Sequence, residues 1–239
     1  MKTHPTAPSR RSAFTLVELL VVIGVLAILI AIAVPSIVGG IDRAKQTVGL
    51  SNLRQIGIGF MAYTAENNGK LPYCYDSATG QTYAHFIQNY LPQQLTESTR
   101  NVFVSPAAKK EIASGNYTVA ITYSAHPRLC NEKLADDHRI PLQSIARPSQ
   151  VIVLADAPQM PWNNNQSTAS FWNPWQIFSP HEVSNLNEPI PTGPDTDTGD
   201  AQGWFRYRNN GSMNALMADG HAQSFKKGSV TFANLLWDR

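Results

Sequence analysis

The first quarter of the chain is dominated by one long apolar stretch. Residues 19–34 contain no polar side chain, and Glu18 is the only charged residue between positions 14 and 38. About 20 apolar residues in a helix are enough to cross the hydrocarbon core of a bilayer, and this stretch is too long for an ordinary signal peptide. The pattern therefore predicts a membrane-spanning helix over residues 14–38.

Beyond Pro35 the apolar residues recur at the spacing of an amphipathic helix. They lie mostly three or four residues apart: Ile41, Ala44, Val48, Ile56, Phe60 and Tyr63. Proline removes one backbone hydrogen bond from a helix, so we expect a bend or local melting at Pro35. Asn67, Asn68 and Gly69 form a strong stop signal. We therefore predict an amphipathic helix over residues 39–68 that continues into a globular domain.

Gly49, Gly57 and Gly59 lie among the apolar residues of this amphipathic segment. Each of them weakens a helix by about 1 kcal/mol relative to alanine. We therefore expect packing against the rest of the domain to support the helix here.

Residues 69–239 alternate between short apolar runs and turn residues, which predicts a small external α/β domain. The predicted elements are a helix over 83–95 broken at Pro92, strands over 119–123 and 151–155, a hairpin over 213–225 with a two-residue turn at Asp219 and Gly220, and a short helix over 231–237. Residues 184–203 are rich in turn formers and predict a surface loop. The expected fold class is α+β, with a long N-terminal transmembrane and amphipathic helix packed on a small C-terminal domain that contains an antiparallel sheet.

The basic residues are concentrated at the N-terminus. Residues 1–13 contain Lys2, Arg10 and Arg11 and no acid, whereas the whole chain has 19 Lys and Arg against 17 Asp and Glu. The rest of the chain therefore carries a net charge of −1, so we expect no nucleic-acid partner. The positive charges predict a leader that stays in the cytoplasm and a domain on the opposite side of the membrane.

Glu18 is unusual because it lies at the edge of the apolar stretch. A charged side chain at the membrane centre costs about 2.5–3.5 kcal/mol and usually has a partner and a function. Glu18 could simply lie at the hydrated interface without a role. Alternatively, cleavage between Ala13 and Phe14 would create an α-amino group four residues before Glu18. In a helical array of identical chains, the carboxylate could then pair with the terminal amine of a neighbour.

Residues 10–20, Arg-Arg-Ser-Ala-Phe-Thr-Leu-Val-Glu-Leu-Leu, resemble the signature of type IV pilins and type II secretion pseudopilins. That signature has a basic leader, a small residue before the cut, Phe after it, and Glu as the fifth mature residue. Ala13 stands where glycine is usual, and Pro35 lies where the family commonly places a helix-bending proline. The resemblance implies that a prepilin peptidase removes residues 1–13 and N-methylates Phe14.

The same resemblance implies a location and partners. The chain would be a single-pass protein of the bacterial inner membrane, with a cytoplasmic N-terminus and a periplasmic or extracellular domain. Other pilin or pseudopilin subunits would join it in a type II secretion pseudopilus or a type IV pilus-like filament. Residues 14–38 would form the filament core, and Glu18 would set the register between subunits.

A second resemblance lies near the C-terminus. Residues 208–221, Arg-Asn-Asn-Gly-Ser-Met-Asn-Ala-Leu-Met-Ala-Asp-Gly-His, are similar to a segment of many pilin-like proteins in which nine residues separate a His from an Asp-Gly pair. Asp219 and Gly220 match that pair, but Asn209 stands where His is expected. Asparagine keeps a hydrogen-bonding role and excludes a titrating or metal-binding one.

One acidic segment is a candidate metal site. Asp195, Asp197 and Asp200 alternate with threonines and a glycine, and carboxylate oxygens in a tight loop can converge on calcium. Resemblance to the major pseudopilins, which bind calcium in a C-terminal loop, implies the same role. A flexible acidic loop is the alternative, and no other cofactor is expected.

Two other classes of function compete with assembly. The sequence contains no HExxH or GxSxG motif, so we do not expect an enzyme; an anchored hydrolase would need Asp156 or His126. A membrane-anchored carbohydrate-binding or adhesive module would use Trp162, Trp172 and Trp175, which lie among asparagines. These tryptophans could equally fill the core or a subunit interface.

The chain contains two cysteines, Cys74 and Cys130, which lie 56 positions apart. An oxidising compartment would allow them to form a disulfide. Because the sequence does not fix their distance, the paired and unpaired forms both stay open.

Overall fold

The computed structural model describes residues 15–76, 78–92, 102–108, 121–126, 128–131, 133, 138–162, 166–169, 185–197 and 204–237. The chain divides into two compact units, Met1–Ile41 and Asp42–Arg239. One helix, α1 (Leu16–Glu66), contributes residues to both units, and the described strands all lie in the second.

The helix α1 is continuous over 51 residues, so the long N-terminal helix is confirmed. It ends where Asn68 and Gly69 adopt left-handed backbone, with φ values of 56° and 74°, as the stop signal predicts. The Gly69 N–H donates to the Thr64 carbonyl and closes the last turn. Pro35 lies inside α1 without interrupting it, so the local melting predicted there is wrong. One hydrogen bond is lost at the proline, while the helix continues on both sides; a bend stays a prediction.

In the first unit, α1 presents apolar side chains to the surroundings. Every Leu, Ile and Val from Leu16 to Ile41 is exposed, with exposed fractions between 49% and 79%. Among the described residues, α1 is the one helix that is long and apolar enough to cross a membrane. An apolar surface of this extent is stable only when a membrane or other protein covers it.

In the second unit, one face of α1 is buried. Ile56, Phe60 and Tyr63 belong to the predicted apolar face and are buried, as expected. The three earlier members of that face are exposed: Ile41, Ala44 and Val48. The face was misassigned near Val48 because the buried positions there are Gly49 and Leu53, on a neighbouring side of the helix.

The second unit contains eight described strands. In chain order they are β1 (Tyr75–Asp76), β2 (Gln81–Thr82), β3 (Tyr123–Ala125), β4 (Ile152–Asp156), β5 (Gln159–Trp162), β6 (Gln166–Ala169), β7 (Ser212–Met217) and β8 (Ala222–Lys226). The principal sheet is antiparallel with the order β3-β4-β7-β8, and β1-β2 and β5-β6 form two small antiparallel pairs. All five residues of β4 are buried, as the apolar run at 151–155 predicts for a central strand. The α+β fold class is confirmed.

Three predicted elements differ from the structure. The helix predicted over 83–95 is only α2 (Tyr83–Ile87), followed by a 3-10 turn over Gln88–Tyr90. Leu91 is already extended because the residue before a proline is disfavoured in the helical region. The strand predicted over 119–123 begins at Tyr123 within the described residues. The predicted C-terminal helix is a 3-10 turn over Phe232–Asn234.

The predicted C-terminal hairpin is confirmed as β7 and β8, but its loop is longer than expected. The Met217 N–H donates to the His221 carbonyl at 2.8 Å, which leaves three residues in the loop instead of two. Gly220 has a φ of 89° and takes the left-handed position that such a loop requires. The hairpin therefore places Gly220 at the tip, where it faces α1.

Glycines allow α1 to lie close to this hairpin. A Cβ on Gly57 would lie 2.5 Å from the Gly220 carbonyl oxygen, and one on Gly49 would lie 2.7 Å from Asn214 Nδ2. The Asn214 side chain also donates to the Gln46 carbonyl of α1 at 3.1 Å. The glycine-containing part of α1 is therefore supported by packing, as expected, because the helix lies directly against β7 and the hairpin tip.

Candidate functional site

The N-terminus of α1 is closed by a reciprocal pair of side chains. The Thr15 N–H and hydroxyl donate to Glu18 Oε2 at 2.9 and 2.8 Å, and the Glu18 N–H donates to Thr15 Oγ1 at 3.2 Å. This arrangement is a capping box, in which a threonine and a glutamate three residues later satisfy the first amides of a helix. The three-residue spacing of Thr15 and Glu18 already carries this signal, although the capping box was not predicted from the sequence.

The residues that flank the capping box along the helix are apolar and exposed; Leu16 is 79% exposed and Leu19 is 59% exposed. Glu18 is the only carboxylate between positions 14 and 38. Ala13 and Phe14, the two predicted processing residues, lie outside the described residues. Pro35 lies 17 residues after Glu18, or nearly five helical turns, in the same exposed apolar segment.

The residues of the C-terminal motif do not form one site. Asn209 is buried, and its Nδ2 lies 3.4 Å from Asp156 Oδ2 on β4. Asp219 is exposed at the hairpin tip, where its Oδ1 accepts the His221 N–H at 3.1 Å. Gly220 packs against Met61 of α1. One part of the motif thus contacts a buried carboxylate, and the other shapes the hairpin that contacts α1.

A tight turn aims Asn209 at the buried carboxylate. Asn210 and Gly211 have φ values of 49° and 74°, and Asn209 and Ser212 exchange both backbone hydrogen bonds across them. Asn-Gly is the strongest local signal for a two-residue turn of this kind. This turn was not predicted, although the Asn210-Gly211 dipeptide that favours it is visible in the sequence.

Asp156 lies at the centre of a buried polar network. Its side chain is fully buried, and Oδ2 accepts the Asn214 N–H at 2.9 Å. Burial raises the pKa of Asp156 to about 6, and the Arg208 guanidinium opposes this shift. The Ser105 hydroxyl lies beside the carboxylate and also opposes the rise in its pKa, although Oδ1 accepts no hydrogen bond within 3.5 Å among the described residues. The network joins β4 to β7.

The predicted acidic segment forms ion pairs with cations of the chain. Asp195 Oδ1 accepts from Arg206 Nη1 and from the Tyr207 N–H, and Lys227 Nζ lies 3.6 Å from Asp195 Oδ2. Asp197 Oδ2 accepts from Arg208 Nη1 at 2.9 Å. The carboxylates therefore tie residues 195–197 to residues 206–208.

The calcium site proposed for Asp195, Asp197 and Asp200 stays a prediction, since Asp200 lies outside the described residues. No group of three or more His, Cys, Asp or Glu side chains is placed to hold a metal within the described ranges. A calcium ion would have to displace Arg206 and Arg208 from Asp195 and Asp197.

We expect millimolar calcium to raise the melting temperature of the protein no more than the same concentration of magnesium. The arginines already neutralise Asp195 and Asp197, and both are held in the folded state. Thermal unfolding of the full chain in detergent measures this. A calcium-specific rise that disappears in Asp197→Asn would contradict the expectation and establish the metal site.

Both ring nitrogens of His126, a residue of the rival hydrolase hypothesis, contact backbone groups. The Arg128 N–H donates to its Nδ1 at 3.2 Å, and its Nε2 lies 3.0 Å from the Leu235 carbonyl oxygen. Burial lowers the pKa of His126 to about 4. Trp172 and Trp175 lie outside the described residues, and Trp162 is described only as part of β5. The carbohydrate-binding hypothesis therefore stays a prediction.

Comparison with known proteins identifies one segment of the chain. The family model described as the prokaryotic N-terminal methylation motif matches residues 8–34. No curated protein and no solved structure matches the chain significantly. The match includes Ala13, Phe14 and Glu18, whereas the likeness of residues 208–221 to a pilin-like C-terminal segment stays a prediction. Residues 8–34 thus give the chain an N-terminus like that of type IV pilin-like and pseudopilin proteins.

Proposed function

We propose that the chain is a pseudopilin-like subunit that is cleaved after Ala13, N-methylated on Phe14 and assembled into a type II secretion pseudopilus or a type IV pilus-like filament. The observation that carries the proposal is the methylation motif over residues 8–34, together with a helix whose Leu, Ile and Val side chains from Leu16 to Ile41 are all exposed in the subunit. The subunit waits in the inner membrane, and neighbouring subunits replace the lipid around α1 when it is extracted.

The exposed apolar residues supply the affinity for neighbouring subunits. Burial of apolar surface contributes about 25 cal/mol per Å², and Leu16–Ile41 presents side chains on every side of the helix. Such contacts are strong but have little directional preference. A polar contact is therefore needed to select one register among the many that apolar packing permits.

Glu18 provides this polar contact in the proposed filament. Among the described residues, both hydrogen bonds to its carboxylate go to Oε2, from Thr15 of the same chain. In the proposal, the methylated amine of Phe14 in a neighbouring subunit approaches Oε1. The capping box holds the carboxylate in a fixed direction, and the neighbour's amine completes its neutralisation within the apolar filament core.

We expect Glu18→Gln to leave cleavage intact and to reduce filament assembly at least tenfold. Glutamine keeps a carbonyl oxygen that can accept the Thr15 N–H, so the cap is preserved while the charge is lost. The measurement is the amount of crosslinked or sheared filament relative to the total cleaved subunit in the native host.

Thr15→Ala is the matched control for this prediction. It removes the hydroxyl of the capping box, at a cost of about 0.5–2 kcal/mol, but keeps the Glu18 charge. We expect it to assemble better than Glu18→Gln. Normal assembly of Glu18→Gln, or an equal defect in both variants, would contradict a role for the Glu18 charge in selecting register.

The processing step is tested by the mass of the N-terminal peptide of the membrane-extracted protein. A peptide that begins at N-methylated Phe14 supports the proposed function. An intact Met1 terminus contradicts it, because Glu18 would then have no neighbouring terminal amine to pair with.

A further inference from the structure

The two cysteines, although distant in sequence, lie side by side in the fold. The Cys74 N–H donates to the Cys130 carbonyl at 3.2 Å and to the Asn131 carbonyl at 3.0 Å. Because a backbone nitrogen lies about 1.5 Å and a carbonyl oxygen about 2.4 Å from its own Cα, this hydrogen bond keeps the two Cα atoms within about 7 Å of each other. Disulfides need Cα separations of about 4.4–6.8 Å, so the backbone brings the two cysteines to a distance at which a bridge can form.

Several contacts fix this juxtaposition. The Lys133 N–H donates to the Tyr75 carbonyl at 2.8 Å, and Lys133 Nζ pairs with Asp76 Oδ2 at 3.0 Å. The Cys130 N–H donates to the His126 carbonyl at 2.8 Å, which holds Cys130 in the turn after β3. The segment that follows Cys74 is therefore tied to the segment that follows Cys130, and the turn after β3 holds Cys130 itself in place.

The environment of the thiols shows when a bridge can form. Cys130 is fully buried and Cys74 is 5% exposed. Burial, and after it the neighbouring Cys74 thiol, raise the pKa of the Cys130 thiol well above its usual value. A buried, protonated thiol reacts slowly, so oxidation has to occur while the domain is still folding.

We propose that Cys74 and Cys130 form a structural disulfide in the exported domain, closing the loop between the segment that follows α1 and the turn that follows β3. The inference rests on the proposed topology, in which this domain lies in an oxidising compartment. The chain has no other cysteine, so the pairing has no intramolecular competitor.

The chemistry is a thiol–disulfide exchange with an oxidant that itself contains a disulfide. The thiolate of one cysteine attacks a sulfur of the oxidant, forming a mixed disulfide and releasing one oxidant thiol. The second cysteine then attacks the mixed disulfide, forms the Cys74–Cys130 bond and releases the second oxidant thiol. The protein loses two electrons and two protons, and the oxidant gains both.

The first test is refolding of the full chain in detergent in buffers that contain reduced and oxidised glutathione. A disulfide in a loop of this length stabilises a fold by about 2–4 kcal/mol, which corresponds to closure about 30 to 900 times more favourable in native conditions than in denaturant. The oxidised protein should also melt about 4–15 °C higher than the reduced protein. Cys74→Ser and Cys130→Ser are the matched controls, and neither should form the intramolecular bridge.

The inference is overturned if the equilibrium constant for forming the Cys74–Cys130 disulfide is the same in native conditions and in denaturant. It is also overturned if oxidation gives only intermolecular dimers. Either result leaves the proposed function untouched. In the host, thiols are trapped with a maleimide polymer, and domain location is read from protease digestion of spheroplasts. A bridged, protease-accessible domain supports both conclusions. A reduced, accessible domain overturns the disulfide alone, whereas a reduced, protected domain overturns the proposed topology and the disulfide with it.

Discussion

Gly57→Ala is expected to lower the free energy of unfolding of the second unit by at least about 2 kcal/mol. The new Cβ would lie 2.5 Å from the Gly220 carbonyl oxygen and 2.8 Å from Leu216 Cδ1. The nearer atom belongs to the backbone of the hairpin tip and cannot rotate away. Overpacking typically costs about 1–3 kcal/mol, and a clash with a fixed backbone atom lies at or above the upper end of that range, so a net loss of about 2 kcal/mol or more remains after the gain of about 1 kcal/mol that alanine brings to a helix.

The measurement is the melting temperature of the full chain in detergent, which should fall by about 4–8 °C or more. Gly40→Ala is the control, since a Cβ at Gly40 meets nothing within 4 Å in the same helix. It should leave the melting temperature unchanged or raise it slightly. Equal losses at Gly40 and Gly57 would show that helix propensity, and not the approach of α1 to the hairpin, determines the effect.

The glycines of α1 show why the sequence predicts this helix but not its packing. Propensity alone describes Gly57 as a weak point, and the apolar spacing correctly assigns Ile56 and Phe60 to the buried face. The reason for Gly57 lies 163 positions away, at Gly220, and neither residue is apolar enough to appear in a hydrophobic pattern. Gly220 itself meets two requirements: it takes the left-handed position of the hairpin loop, and it lies close to α1.

The candidate site divides into a local part and a non-local part. The interaction of Thr15 with Glu18 follows from their spacing along one helix, and could have been predicted from the sequence. The network around Asp156 depends on the pairing of β4 with β7, which brings Asn214 to Asp156 across 58 positions. The contacts of Arg206 with Asp195 and of Arg208 with Asp197 also form only in the folded chain. The sequence of the acidic segment by itself therefore suggests a metal site, whereas the fold shows that arginines neutralise its carboxylates.

Between pH 4 and pH 6 the contributions of two fully buried groups, Asp156 and His126, to the stability of the wild-type protein should largely cancel. Asp156 has a folded-state pKa of about 6, raised from 3.8, so the folded protein keeps a proton that the unfolded chain loses, and stability falls as pH rises through this window. His126 has a folded-state pKa of about 4, lowered from 6.5, so stability falls as pH drops through nearly the same window. Each effect amounts to about 1.4 kcal/mol per pH unit.

In Asp156→Asn, the pH dependence of stability that is due to His126 should become visible. Asparagine retains an oxygen that can accept the Asn214 N–H, but it no longer titrates, so stability should rise by about 3 kcal/mol from pH 4 to pH 6.5. Urea unfolding of the full chain at intervals across this range measures the slope. Asp219→Asn removes the exposed carboxylate of the C-terminal motif and should keep the wild-type profile. A slope in Asp156→Asn that is parallel to wild type would mean that Asp156 is already ionised at pH 4, and that Asn209, Asn214 and Arg208 together stabilise its charge against the effect of burial.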